Sequence, residues 1–271
     1  MKIQFSDLHF SYPSGDEALK GISLEFSGTA PVAIIGQNGS GKTTFAKHFN
    51  GILRPGSGKL LIDGEDIHAR STAEWSARIG YVFQNPQDQL FLETVKKELE
   101  FGPKKIKMEP ERIAENVKYA AQLCKMDDKL DIHPFDLSPT QRKFCTIASI
   151  VAMDPEVILL DEPTGGQDYY GTLLLEEIIE SLQKKGKLVI TISHDMDFVI
   201  RNFERVIALC DGKVIIDADA RTAFSRVEEL ARTFIEPPPV TRIAQALDFD
   251  ETVVDLQRFF VCFDKKLKGA A

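Results

Sequence analysis

A glycine-rich stretch near the N-terminus has the composition of a phosphate-binding loop. It follows the apolar run Val32–Ile35, which has the character of a buried strand, and it matches the pattern G-x-x-x-x-G-K-[ST]. Glycines at this spacing let backbone N–H groups turn toward an anion, while Lys42 reaches the β- and γ-phosphates and Thr43 offers a hydroxyl to Mg²⁺. A glycine-rich turn could match by accident, but the preceding strand and the helix expected after it favour nucleotide binding. The predicted nucleotide-binding residues here are Gly36, Gln37, Asn38, Gly39, Ser40, Gly41, Lys42, Thr43 and Thr44.

Polar side chains also stand at the ends of three further apolar segments. Asp161 and Glu162 follow the run 157–160, and Gln84 and His194 follow two others. Ligands of open α/β sheets bind at the carboxyl ends of the strands. We therefore predict that Asp161 joins the Mg²⁺ shell, that Glu162 is the general base, and that Gln84 and His194 reach the attacking water and the γ-phosphate. The alternative, an exposed turn and a structural histidine, would be favoured without the phosphate loop. The predicted catalytic residues are Glu162, His194, Gln84 and Lys42, and the predicted metal ligands are Thr43, Gln84 and Asp161.

The bulk composition excludes several functional classes. The chain has 271 residues, 43% of them hydrophobic and 27% charged, which suffices for one large α/β domain with an appendage. A formal net charge of −8 argues against nucleic acid as a partner, because such binding needs clustered Lys and Arg. No apolar run has the 18 or more residues of a membrane span, and the start lacks the apolar region of a signal peptide. The four cysteines form no C-x-x-C pair and fit a reducing cytoplasm. Any role at a membrane would therefore depend on a partner.

Hydrophobic periodicity predicts an α/β core interrupted by helices. Residues 3–26 alternate between apolar and polar and indicate antiparallel strands, and a helix is expected over Thr43–Leu53. From Gln84 to Asp154 the helical period dominates. Strand and helix then alternate again, which indicates a parallel sheet with helices on its faces. One apolar helix face in the insertion would consist of Ile113, Val117, Ala121 and Cys124.

The tail after Pro237–Pro239 carries too many apolar residues for a solvated segment. The three prolines are typical of a hinge or linker. We expect the tail to pack on something through Ile243, Leu247, Val254, Leu256, Phe259, Phe260 and Phe263.

The order of the motifs resembles that of the nucleotide-binding subunits of ABC transporters. The phosphate loop, Gln84, Leu-Ser-Pro-Thr-Gln at 137–141, Asp-Glu at 161–162, Gly-Gly-Gln-Asp at 165–168 and His194 follow one another as in that family. The resemblance implies an α/β fold, a P-loop NTPase (ABC ATPase) core with an antiparallel β subdomain, a helical subdomain insertion and a small C-terminal extension. It implies an ATPase domain over 1–220 with the helical subdomain at about 87–154, and an extension over 221–271 that serves as a dimerisation region.

The resemblance also assigns further residues and the cofactors ATP and Mg²⁺. Tyr12, which lies 30 residues before Lys42, looks like the aromatic residue that stacks on adenine; the alternative is an ordinary strand residue. Ser138 and Gln141 belong to the signature loop, which in this family contacts the ATP held by the opposite subunit.

A closer similarity is to the ATPases of energy-coupling factor (ECF) transporters, the cobalt and vitamin importers. It rests on Phe83–Phe91, on Glu-Phe-Gly at 100–102 and on the start of the tail, 238–247. It implies a pair of ATPases on the cytoplasmic face of the cell membrane, bound peripherally to a transmembrane coupling protein, with a substrate-binding membrane protein beside it. Residues Asn85–Phe101 would be the docking surface for the coupling protein.

The signature loop departs from the family's Leu-Ser-Gly-Gly-Gln. Pro139 has no N–H and Thr140 adds a side chain where close approach is needed, so the site completed by this loop should hydrolyse ATP poorly. Ser138 can still cap the helix, and Pro139 suits its first position. Because the chain's own catalytic set is complete, we expect a heterodimer with a second ABC ATPase that has an intact signature loop. The alternative is a homodimer, which would place the altered loop in both sites. Gln167, before Asp168, also departs from the family's usual Ala/Gly-Leu-Asp ending, and the sequence assigns no consequence to this change.

Two alternatives are less favoured. One is the ATPase of another ABC importer. The other is a soluble ABC ATPase without a transport role, acting on DNA or ribosomes; such proteins usually carry two cassettes or a coiled-coil insertion and basic surfaces, none of which the sequence has. The transported molecule, a vitamin or a transition-metal ion, is not encoded in this chain.

Overall fold

A computed structural model describes residues 1–269, with side chains up to Leu267; residues 270 and 271, the end of the predicted extension, lie outside the described part. The strands are β1 Lys2–Ser11, β2 Glu17–Ser27, β3 Val32–Ile35, β4 Ser57–Ile62, β5 Glu65–Asp66, β6 Ile79–Val82, β7 Val157–Asp161, β8 Leu188–Ile192, β9 Arg205–Cys210 and β10 Lys213–Asp219. The helices are α1 Lys42–Ala46, α2 Thr72–Ser76, α3 Val95–Lys105, α4 Pro110–Leu123, α5 Pro139–Val151, α6 Tyr169–Lys184, α7 Met196–Asn202, α8 Ala220–Ser225, α9 Val227–Arg232, α10 Pro239–Ala246 and α11 Leu256–Gly269.

The larger sheet places four strand ends side by side. Its order is β10-β9-β3-β8-β7-β6, and all neighbours are parallel except the β9–β10 hairpin. Strands β3, β6, β7 and β8 are buried at every residue, as expected for parallel strands covered on both faces. The predicted parallel sheet is therefore confirmed. The carboxyl ends of β3, β8, β7 and β6 follow one another along one edge, so the residues after them meet.

The smaller sheet is antiparallel and shares a core with the phosphate loop's helix. Its order is β2-β1-β4-β5, which confirms the antiparallel strands predicted over 3–26. Phe5 and Phe26 from this sheet pack against Phe45 and Phe49, with ring centroids 4.7 to 6.3 Å apart. This aromatic cluster anchors α1 and so holds the phosphate loop between the two sheets.

The helix after the phosphate loop is shorter than predicted. It covers Lys42–Ala46, whereas the sequence indicated Thr43–Leu53. Beyond Ala46 the backbone bonds tighten, since the N–H groups of His48 and Phe49 bond three residues back, at 3.0 and 3.1 Å. Gly51, at φ +73°, then reverses the chain. Of the apolar side chains that suggested a longer helix, Phe49 is buried in this compact turn, whereas Ile52 is 37% exposed.

Helices α3, α4 and α5 fill the connection from β6 to β7. The predicted apolar face of Ile113, Val117, Ala121 and Cys124 is buried, as expected. It packs in one core with Phe144, Ile147 and Val151 of α5. Helix α5 therefore lies between the insertion and the main sheet.

The C-terminal helices bury only part of their apolar surface. Ala223, Phe224 and Leu230 of α8 and α9 join the main core. Beyond Pro238, a small cluster forms around Ala244, Val253 and Cys262. Within this chain, five of the seven tail side chains expected to pack are exposed, so their packing on a surface outside the chain stays a prediction: Ile243, Leu247, Leu256, Phe260 and Phe263. Among the helices that the structure describes, none is both long and apolar enough to cross a bilayer.

Candidate functional site

A cleft of about 360 Å³ lies at the shared edge of β3, β8, β7 and β6. Most of the predicted site residues line it: Tyr12, Asn38, Gly39, Gly41, Lys42, Thr43, Thr44, Gln84, Glu162 and His194. Six predicted residues do not line it: Gly36, Gln37, Ser40, Asp161, Ser138 and Gln141. The cleft thus unites side chains that are separated by up to 182 positions in the chain, from Tyr12 to His194.

The phosphate loop depends on its glycines at two tight positions. Gly36 has φ +144°, and a Cβ there would lie 2.2 Å from the carbonyl oxygen of Leu209. Gly41 has φ +100°, and its Cβ would lie 2.7 Å from the carbonyl oxygen of Ala18. Both positions therefore exclude other residues on conformation and on space. These two glycines let the loop pass close to the carbonyls of Leu209 and Ala18.

Lys42 is the buried cation of the loop. Its Nζ donates to the carbonyls of Gly36 and Gln37, at 2.8 and 2.9 Å. Burial lowers the pKa of Lys42, and the negative charges of Glu162 and Asp161 oppose this shift. The ammonium is therefore close enough to Glu162 and Asp161 to be influenced by both charges, and bound phosphate groups would compete for it.

Glu162 combines backbone strain with burial. Its φ of +49° lies in the left-handed region, which is uncommon for a residue other than glycine. Its N–H donates to the Ile192 carbonyl at 3.0 Å. Burial raises the pKa of Glu162 to about 7, although the charge of Lys42 opposes the shift. A carboxylate with a pKa near neutrality is suited to accept a proton in general base catalysis.

His194 reaches Glu162 from the end of β8. Its Nε2 lies 2.9 Å from Oε1 of Glu162, but the two are not aligned as a hydrogen bond, and within residues 1–269 this Oε1 has no hydrogen-bond donor. Burial lowers the pKa of His194, and Lys42 lowers it further. The imidazole is therefore held neutral beside the candidate base.

Asp161 lies directly behind the cleft and offers one oxygen. Its Oδ2 accepts a hydrogen bond of 2.7 Å from the hydroxyl of Tyr81, and burial raises the pKa of that phenol. Its Oδ1 is buried and has no hydrogen-bond partner among the described residues. A buried carboxylate oxygen left without a partner fits a hard cation such as Mg²⁺, which takes few protein ligands and binds phosphate oxygens and water as well. Within the described part, no group of three or more His, Cys, Asp or Glu residues could hold a metal by itself.

Gln84 is linked to Glu162 by a buried lysine that the sequence analysis did not single out. The Nζ of Lys143, on α5, donates to the Gln84 carbonyl at 2.5 Å and to the Glu162 carbonyl at 3.4 Å. Lys143 is only 3% exposed, and burial lowers its pKa. In the sequence, the one signal for this role of Lys143 is its place as a single lysine beside the apolar run that follows the signature loop. This ammonium connects two catalytic candidates to the same helix.

The signature loop caps α5. Ser138 Oγ accepts from the Gln141 N–H at 3.2 Å, and Gln141 Oε1 accepts from the Ser138 N–H at 3.0 Å. Pro139 is the first residue of the helix, so the predicted cap and helix are both confirmed. A separate groove of about 230 Å³ has Pro139, Gln84 and Gln167 in its walls. The two loop residues therefore lie beside this groove and outside the nucleotide cleft of their own chain.

Tyr12 stands at the other end of the cleft. It is 38% exposed, and its hydroxyl forms a 2.9 Å hydrogen bond with Thr44 Oγ1. Asp16 and Glu17 also line the cleft, and the sequence analysis did not identify them because they lie in the turn before β2 and at its start. The aromatic ring of Tyr12 is therefore held next to the phosphate loop and stays partly accessible to solvent.

Comparison with known proteins identifies the family. The family model described as ABC transporter matches residues 19–165. The chain is 37% identical over 253 residues to the energy-coupling factor transporter ATP-binding protein EcfA of Methanocaldococcus jannaschii, covering 93% of this chain and 91% of that protein.

Solved structures agree with this match. The ATPase cbiO1 of Clostridium perfringens, described as part of the ABC transporter complex cbiONQ, superposes with a TM-score of 0.76 at 30% identity, over 91% of this chain and 98% of that one. A dimeric ATP-binding cassette in a post-hydrolysis state with ADP and Pi gives a TM-score of 0.73 at 25% identity, over 81% of this chain and 99% of that one. The chain therefore belongs to the ABC transporter ATPases, the enzymes that couple ATP hydrolysis to transport across a membrane.

Proposed function

We propose that this chain is an ATP-hydrolysing subunit of an ECF-type importer for a vitamin or a transition-metal ion. It would lie on the cytoplasmic face of the membrane, bound to a transmembrane coupling protein. The observation that carries the transport part of the proposal is an exposed aromatic pair on the segment after Gln84. The similarity to EcfA and to cbiO1 supports the ECF assignment.

The hydrolytic roles follow from the cleft. Lys42 and the loop N–H groups bind the phosphates, and Tyr12 stacks on adenine. Glu162 accepts a proton from the attacking water, while the neutral His194 contacts the γ-phosphate. Thr43, Gln84 and Asp161 would hold Mg²⁺, which would neutralise charge on the phosphates. The buried, unpartnered Asp161 Oδ1 and the raised pKa of Glu162 support these assignments.

The docking surface is the segment Asn85–Phe101. Phe91 is 61% exposed and Phe101 is 37% exposed, and their rings meet edge to face at 5.0 Å. The buried carboxylate of Glu98 accepts from the N–H groups of Phe91 and Leu92, at 2.5 and 2.6 Å, and so fixes the loop that presents Phe91. An apolar pair held this rigidly is suited to an amphipathic helix of the coupling protein.

The second ATPase would supply the intact signature loop. In this chain Pro139 cannot donate an N–H to a phosphate, and Ser138 and Gln141 cap each other. The site built on this chain's Lys42 and Glu162 would therefore use the partner's loop and hydrolyse ATP. The site built on the partner's phosphate loop would receive Pro139 and turn over slowly.

The test is purification of the tagged full-length chain from detergent-solubilised membranes of its own organism, with mass spectrometry of what is bound. We expect a second ATPase with Leu-Ser-Gly-Gly-Gln and two membrane proteins, one of which identifies the substrate. The double variant F91S/F101S should lose the membrane proteins and keep the second ATPase. The control F234S removes another exposed phenylalanine, 75% exposed and outside the segment, and should keep both.

Other results would favour the alternatives. Recovery of ribosomal or DNA-bound partners would indicate a soluble ABC ATPase without a transport role. Recovery of membrane proteins together with an extracytoplasmic binding protein would indicate an ABC importer of another type. Binding of the coupling protein by F91S/F101S at the level of the unmodified chain would refute the docking surface.

A further inference from the structure

Tyr81 faces Asp161 across two neighbouring parallel strands. In the β6–β7 register Tyr81 is opposite Leu159, and Asp161 lies two residues further on the same face of the sheet. The tyrosine side chain is long enough to span this diagonal, and its hydroxyl donates to Asp161 Oδ2 at 2.7 Å. Tyr81 is 4% exposed and Asp161 is 3% exposed, so this hydrogen bond is shielded from water.

The bond makes the two oxygens of Asp161 unequal. Oδ2 is occupied by the phenol, whereas Oδ1 is buried without a partner in the part of the chain that the structure describes. A free carboxylate rotates and exchanges its oxygens, but a fixed donor on one of them holds the carboxylate plane. The oxygen that is left over then points in one defined direction.

We propose that Tyr81 is a positioning residue that orients Asp161 and reserves its Oδ1 for Mg²⁺. This inference rests on the proposed Mg²⁺ site of the cleft. Hydrogen bonds to ligating carboxylates are part of the design of metal sites, and their loss typically weakens metal binding about 10- to 100-fold. A purely structural role, satisfying a buried carboxylate, would stabilise the fold without affecting the metal.

The test is Mg²⁺-dependent ADP binding by the isolated full-length chain, measured by calorimetry. The affinity for ADP is measured first with EDTA and then over a series of MgCl₂ concentrations, which yields a Mg²⁺ midpoint. The variant Y81F removes only the hydroxyl. The matched control is Y119F, because the hydroxyl of Tyr119 also forms a hydrogen bond, of 3.0 Å, with Ser181 Oγ on α6.

We expect Y81F to raise the Mg²⁺ midpoint about tenfold, at the low end of such losses, while the ADP affinity in EDTA changes less than twofold. Y119F should alter neither value. If ADP binding depends on Mg²⁺ in both proteins and the Mg²⁺ midpoint of Y81F equals that of the unmodified chain, the role of Tyr81 is refuted and the metal site is not. If the ADP affinity of the unmodified chain does not change with Mg²⁺, the metal site itself is refuted. Failure of the metal site can therefore be distinguished from failure of the role assigned to Tyr81.

A measurement on the unmodified chain covers the case in which Y81F does not fold. The chain has five tyrosines, so the Cζ resonance of Tyr81 in ¹³C-labelled protein is assigned by elimination, using phenylalanine variants of the other four. Adding Mg²⁺ to the ADP-bound chain should shift this resonance, because the Asp161 carboxylate then shares its charge with the metal. A resonance that stays in place while Mg²⁺ tightens ADP binding would overturn the proposal.

Discussion

At the scale of single residues, two groups of the proposed catalytic site are held in unfavourable states. Glu162 has a left-handed backbone and a pKa of about 7, and Lys42 is an ammonium whose pKa is lowered by burial. A neighbouring strand helps to hold Glu162 in this strained backbone conformation, since the N–H of Glu162 donates a hydrogen bond to the carbonyl of Ile192 on β8. Such strain and such shifts tend to cluster at active sites.

The substitution E162Q should stop steady hydrolysis and leave ATP bound. Glutamine keeps the shape of the side chain but cannot accept the proton of the attacking water, and loss of a general base costs about 10²- to 10⁴-fold in rate. The measurement is the steady ATPase rate of the assembled complex, together with the amount of ATP that copurifies with it. The control E177Q changes an exposed carboxylate on α6 and should leave both unchanged. Substantial turnover by E162Q would show that another group is the base.

At the scale of elements, α5 is the part that joins the catalytic groups. It begins at the signature loop, and Lys143 binds the carbonyls of Gln84 and Glu162 one turn later. The amide of Gln89 adds a second link to α5, since it donates to the Thr146 carbonyl at 2.9 Å. A shift of this helix would therefore move Gln84 and Glu162 together with Gln89, which lies within the proposed docking surface.

The substitution K143M should slow hydrolysis more than it weakens ATP binding. Methionine fills the space but leaves two buried carbonyls without their donor, which costs about 1–3 kcal/mol, or roughly a 10- to 100-fold loss if the cost falls on the transition state. The measurements are the ATPase rate of the complex and the ATP affinity of the isolated chain. K118M, which removes an exposed lysine from α4, is the control. Equal rates for K143M and the unmodified complex would mean that Lys143 only fills space.

Restoring the signature loop should activate the slow site. In the double variant P139G/T140G the third residue of the loop regains an N–H and the fourth loses its side chain, while Ser138 still caps α5. We expect the ATPase rate of the heterodimer to rise, because two sites would hydrolyse ATP where one did before. The increase is up to about twofold when the sites act independently. A complex that carries E162Q as well isolates the restored site and should show turnover that E162Q alone lacks. No gain in that background would mean that the loop is not what limits the second site.

At the scale of the whole molecule, the apolar surface left exposed on α10 and α11 is unusual for a monomer. Leu256 is 64% exposed and Phe260 is 62% exposed, although the helices keep a small core of their own around Val253. Exposed apolar patches of this kind mark interaction sites. We propose that this extension contributes to dimerisation with the second ATPase.

The double variant L256S/F260S should weaken that dimer about tenfold or more, since two large apolar side chains would no longer be buried; each is worth about 1.5–3 kcal/mol. The measurement is the dissociation constant of the two ATPases by analytical ultracentrifugation, with ADP affinity as a check on folding. K265S, a polar change on the same helix, should leave it unchanged. An unchanged dissociation constant for L256S/F260S would exclude these helices from the dimer interface.

The sequence by itself determined the fold class and the residue types of the site. Some features can be recognised from a few neighbouring residues, because turns, caps and strand ends have local chemical requirements. They are the phosphate loop, the Asp161-Glu162 pair and the helix cap at Ser138. The parallel sheet could also be predicted, since fully buried strands read as continuous apolar runs.

Only the tertiary structure decided how these residues work together. The bond of Tyr81 to Asp161 joins positions 80 residues apart, and that of Lys143 to Gln84 joins positions 59 apart. The end of α1 at Ala46 and the exposure of Phe260 depend on which surfaces the rest of the chain covers. The periodicity of the sequence shows which side chains are apolar or charged. The residue that each side chain contacts depends on strand order and burial, which are properties of the folded chain.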